Sequence, residues 1–112
     1  MLAAGPAKKV TIYVNEDATA PHHQPLHQAV LEFLLKSGVS GATAMRAMAG
    51  FGRHHRMHTA RIELLAEHLP ILVEFVESPE KVQELLPALA EMVADGMIEV
   101  QDTTVIKVGS GR

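Results

Sequence analysis

Along this chain the apolar residues switch between a spacing of two and a spacing of 3.6, and the order of the switches leaves very few folds open. "KKVTIYVN" sets Val10, Ile12 and Val14 against Thr11 and Tyr13, a period-two strand rich in β-branched residues. "EDATAPHHQ" is polar and proline-bearing and reads as a loop. "PLHQAVLEFLLKSG" starts with Pro25 and stops at Gly38, with Leu26, Ala29, Val30, Phe33 and Leu34 on one helical face. Leu31 and Leu35 widen that face, so the helix is expected to be buried on more than one side. "GATAMRAMAG" is assigned to a strand by its position. "HLPILVEFVE" is a strand with Leu69, Ile71, Val73 and Phe75 on one face and Leu72, Glu74 and Val76 on the other. "SPEKVQELLPALAEMVADG" is a helix from Ser78 to a stop at Gly96, and Pro87 predicts a kink or break within it. "MIEVQ" and "TTVIKV" are two further short strands.

The order β-α-β-β-α-β specifies an α+β, ferredoxin-like sandwich with both helices on one face of the sheet and, here, an extra C-terminal strand. The expected domain spans residues 9–108, with a flexible leader over 1–8 and a flexible tail over 109–112. The second sheet face would then present Leu72 and Val76, with either the Ala42, Ala44, Met48 set or its neighbours on the second strand. So much apolar sheet is uncommon on a monomer and predicts association with other copies of the chain.

Composition matters for what it excludes. With 47% hydrophobic and 21% charged residues over 112 positions, the chain is one globular domain. The absence of cysteine removes disulfides, thiolate metal sites and cysteine nucleophiles. A net charge of −3 speaks against a nucleic-acid footprint. No membrane span or signal-like stretch is seen, and the cytoplasm is the expected location.

Charge distribution is more informative. No Asp or Glu occurs between Glu32 and Glu63, an interval that holds Lys36, Arg46, Arg53, Arg56 and Arg61 with His54, His55 and His58. Its centre, "GFGRHHRMHTAR" from Gly50 to Arg61, lies in a connection too long for an ordinary hairpin. Glycines at 50 and 52 around Phe51 suit close approach of a ligand to the main chain, and local positive charge suits a small anion or an acidic partner surface. Arg46 has two readings, a ligand contact or an ion pair with Glu74 should the two strands pair. Histidines supply two metal candidates: His54 with His58, four apart, and His22 and His23 with Glu16 and Asp17. No nucleophile motif or paired-carboxylate pattern supports catalysis, and no enzyme is expected.

"GFGR" after the second strand resembles the base of the long T-loop of PII signalling proteins, and Asp95-Gly96-Met97-Ile98 resembles their B-loop. "IYVNED", "PLHQAV", "GATAMRAMAGFGR", "MHTARI", "LPILVEFVES" and "EMVADGMIEV" together resemble the PII-like domain-of-unknown-function family 190 over Val10 to about Val108. That resemblance implies a homotrimer that binds an adenine nucleotide between subunits and docks a target protein through its loop. By it, Gly50, Gly52, Arg53, Asp95, Gly96 and Lys107 are ligand-binding candidates, and His54, His55, Arg56, His58 and Arg61 belong to the docking loop; Arg46, as replacement charge, and Phe51, as a surface for the adenine, join the ligand-binding candidates on their own chemistry. Met97 stands where the resemblance expects a lysine, Lys107 where it expects an arginine, and Gly109 where it expects a second one. The loop also lacks the tyrosine that some PII proteins uridylylate. The alternative readings are a CutA-like trimer that binds a divalent metal, and an adaptor without a small ligand.

Overall fold

The computed structural model describes residues 2–50 and 69–109. Four strands, β1 (Gly5–Asn15), β2 (Ala42–Arg46), β3 (Pro70–Glu77) and β4 (Met97–Val105), form one sheet in the order β2-β3-β1-β4, antiparallel throughout. Two helices, α1 (Leu26–Lys36) and α2 (Pro79–Met92), pack on one face. This is the expected ferredoxin-like sandwich, without the extra C-terminal strand among the described residues. Its core joins Val10, Ile12 and Val14 of β1 and Ile71, Val73 and Phe75 of β3 to Val30 and Leu34 of α1 and Val82, Leu85 and Leu89 of α2. These are the residues that the two periodicities select.

Local chemistry sets the ends of the helices. Ser78 caps α2 by accepting from the Lys81 amide at 3.2 Å, ahead of Pro79 in the first turn. Gly38, at φ +82°, takes the left-handed position just after α1 that a side chain would resist. Several expectations need correction. α2 runs unbroken through Pro87. Pro87 and Gln83 both lie on the exposed side, where water can satisfy the carbonyl that the proline leaves without a donor. "MIEVQ" and "TTVIKV" are not two strands, since β4 continues from Met97 to Val105. Asp102 does not break it, because at this sheet edge its side chain pairs with Lys8 in register. Gly5 to Lys8, expected in a flexible leader, belong to β1, paired with Asp102 to Val105. Leu35, expected to be buried, is 77% exposed.

The edge strand β2 is held by a buried carboxylate. Glu77, 2% exposed at the end of β3, accepts from the Ser40 amide at 2.7 Å and ties the α1–β2 connection to the sheet. Glu77→Ala leaves that amide without its acceptor and should cost about 1–3 kcal/mol in urea unfolding. Glu77→Gln, which keeps an acceptor oxygen, should cost less.

Candidate functional site

Register decides which ends of the strands meet. Asn15 lies opposite Pro70, Tyr13 opposite Met97, and Arg46 opposite Ile71. The end of β2, the start of β3, the end of β1 and the start of β4 therefore share one end of the sheet. That end holds Arg46 and Gly50 on one side and Asp95 and Gly96 on the other. They lie at opposite edges, three strand spacings or about 14 Å apart. Lys107 follows β4 at the far end, about 30 Å away along a nine-residue strand. Within one chain, then, Arg46, Gly50, Asp95 and Gly96 share an end of the sheet, and Lys107 does not join them. Phe51, Gly52, Arg53, His54, His55, Arg56, His58 and Arg61 lie outside the described residues.

Arg46 donates to the Glu16 carboxylate. The expected pair with Glu74 does not form, although β2 and β3 do pair. Side chains alternate across a strand, and the register sets Glu74 beside Thr43 and Arg46 beside Ile71, on opposite faces. Glu74 instead accepts from Thr11 Oγ1 at 3.2 Å and lies 3.7 Å from Lys9 Nζ. Glu16 is placed by its own backbone, whose amide donates to the Leu69 carbonyl at 3.1 Å. The Ala47 amide donates to the Pro70 carbonyl at 3.0 Å, which holds the chain leaving β2 against β3.

The Asp95–Gly96 corner is fixed by contact. A Cβ on Gly96 would stand 2.3 Å from the Tyr13 carbonyl oxygen and 2.6 Å from Val93 Cγ1. Glycine is required there because β1 passes so close, a reason different from the helix stop read in the sequence, since α2 already ends at Met92.

The sheet face away from the helices carries a row across all four strands, Met45, Leu72, Tyr13 and Met97. Met45 is 43% and Met97 51% exposed. The β2 contribution is thus Thr43 and Met45, the neighbours of the Ala42, Ala44 set, which faces the helices. Next to it runs the row Thr43, Glu74, Thr11 and Glu99. The Tyr13 hydroxyl donates to Glu99 Oε1 at 2.9 Å, and that bond, with partial desolvation and the charges of Glu99 and Glu74, raises the phenol above its usual pKa.

A family model described as "Uncharacterized ACR, COG1993", DUF190, matches residues 7–105, from β1 to the end of β4. The chain belongs to the DUF190 family. A UPF0166 protein of Aquifex aeolicus (strain VF5) is 29% identical over 99 residues, covering 88% of this chain and 92% of the relative. Among solved structures, the chain is similar to CPII of Thiomonas intermedia K12, described as a nitrogen regulatory PII-like protein bound to ADP, AMP and bicarbonate. The TM-score is 0.66 at 21% identity, over 94% of this chain and 92% of that one. It is also similar to a putative PII-like signaling protein of Thermus thermophilus, with a TM-score of 0.63 at 21% identity, over 94% of both chains. The DUF190 chain therefore has the PII-like form of the ferredoxin-like sandwich.

The DUF190 match includes Arg46, Asp95 and Gly96 and stops short of Lys107. Metal chemistry gains nothing from the geometry. No three His, Asp or Glu side chains gather into a metal-binding group among the described residues, so Glu16, Asp17, His22 and His23 do not make the site expected of them. His22 and His23 sit in the turn Pro21–His23 with left-handed φ of 67° and 62°, and Glu16 is engaged by Arg46. The His54–His58 pair lies outside the described residues. Sequence reading missed Glu16 as the partner of Arg46 and Glu99 as the partner of Tyr13. Both pairings depend on which strands are neighbours, and a single strand's periodicity carries no signal for that.

Proposed function

We propose that this DUF190 protein is a PII-like regulator that binds an adenine nucleotide at the junction between copies of the chain, as a homotrimer, and signals occupancy to a target protein through the 51–61 loop. The observation that carries this reading is the sharing of one sheet end by Arg46–Gly50 and Asp95–Gly96 at opposite edges. Such halves complete a site when the edge of one copy meets the opposite edge of the next. Two further features favour that arrangement. β2 and β4 are both edge strands, and the open face carries the Met45, Leu72, Tyr13, Met97 row. Edges of this kind invite pairing between chains. The choice of nucleotide rests on the ADP and AMP bound to the similar CPII. Function then comes from differential binding to two loop states rather than from turnover.

Among the described residues no helix is long and apolar enough to cross a membrane, and the proposed regulator acts as a cytoplasmic protein. Titration calorimetry of the assembled protein with AMP, ADP and ATP tests the reading. Binding of at least one nucleotide with a micromolar Kd, about −8 kcal/mol, is expected. Absence of binding across the three by folded, associated protein overturns it and leaves the ligand-free adaptor. Nothing in the described geometry favours the CutA-like metal reading.

A further inference from the structure

Arg46 is the only cation among the described residues at the end of the sheet where the nucleotide is proposed to bind, and it is not free. Its side chain, 59% exposed, is bonded through Nη1 to Glu16, whose side chain is 24% exposed. A guanidinium carries five N–H donors; Glu16 engages Nη1, so its carboxylate competes with a phosphate for that side of the fork and repels it at the others. Glu16 is well held for this task. It follows the last residue of β1, its amide is tied to the Leu69 carbonyl, and its carboxylate reaches across β3 to the end of β2.

We infer that Glu16 is an internal competitor for the ligand phosphate: it holds Arg46, contends with the phosphate for the guanidinium, and sets which phosphorylated ligands the site accepts. This rests on the nucleotide reading above and deepens it. Two consequences follow from the charges. Apparent affinity falls by the fraction of molecules in which Arg46 is released. Repulsion between Glu16 and the ligand grows with the number of phosphates, so the wild-type site is tilted toward ligands of low charge, with a nucleoside monophosphate favoured relative to a triphosphate. Displacement also releases the Glu16–Asp17 turn from the end of β2.

The test is a double-mutant cycle read by titration calorimetry with AMP, ADP and ATP. Glu16→Gln removes the competing charge and keeps the side-chain size. It should tighten AMP about fivefold, as expected from releasing an exposed ion pair and one nearby like charge, and tighten ATP by more than AMP. In an Arg46→Gln background the same Glu16→Gln change should have little effect, because the competition is gone. Asp17→Asn serves as the charge control and should shift affinity less than Glu16→Gln. Unchanged or weaker binding in Glu16→Gln, an equal gain in the Arg46→Gln background, or an equal gain from Asp17→Asn overturns the inference while the nucleotide reading stands. If neither wild type nor Glu16→Gln binds any of the three, the nucleotide reading itself has failed.

Discussion

Gly96→Ala should lower stability by about 3 kcal/mol, the upper range for forcing atoms into a packed position, and lower the melting temperature of a domain this size by about 15 °C. The methyl group would meet the Tyr13 carbonyl oxygen at 2.3 Å and Val93 Cγ1 at 2.6 Å. Neither neighbour is free to yield. The carbonyl belongs to the central strand, paired on both sides, and Val93 is buried in the core. Relief requires the Asp95–Gly96 corner to move away from β1, so nucleotide binding should weaken together with stability. Gly109→Ala is the matched control, because a Cβ there meets nothing within 4 Å. Calorimetric melting of both variants checks the prediction, and a Gly96→Ala melting point within about 2 °C of wild type, a shift worth well under 1 kcal/mol, would show that the corner is not pinned as described.

Leu72→Asp should convert the associated protein to monomers. Leu72 stands between Met45 and Tyr13 in the row across the open face. In a trimer with that face inward, three carboxylates would lose water with no cation in the row to receive them. Each uncompensated buried charge costs several kcal/mol, more than a small interface can absorb. Leu72 is only half buried in the single chain, so the fold itself should survive, which circular dichroism would confirm. Light scattering should report a threefold drop in mass, and nucleotide binding should disappear with association if the site spans two copies. Retention of the trimer by Leu72→Asp would place the contact between chains on another face.

Much of the fold was legible because β1, β3 and both helices bury one face each, and a buried face writes its period into the sequence. The residues that recur at two or at 3.6 are those of the core. Errors arose where that burial is absent. β4 is an edge strand with few buried residues, so Asp102 looked like a break, and the start of β1 looked like a leader because Gly5 and Pro6 have no apolar pattern of their own. Pro87 looked like a break because its solvent-facing position was invisible in the sequence.

The candidate site was harder. Gly96 was read as a helix stop, whereas what requires glycine there is the close passage of β1, a tertiary fact. Arg46 was matched to Glu74 by strand pairing alone, whereas a one-residue difference in register moves a side chain to the other face. Glu16 was grouped with nearby histidines, although its partner lies 30 positions later.

β1 takes its partners from far along the chain: Gly5 pairs with Val105 and Lys8 with Glu77. A ribosome that has released β1 must build through Glu77 before its first neighbour exists and through Val105 before its second. Until then β1 waits with an unpaired flank, and such non-local pairing is slow to form and exposed to aggregation. Lys8 and Lys9, side by side in β1, are charges of the kind that oppose edge-to-edge pairing while a strand is unpaired.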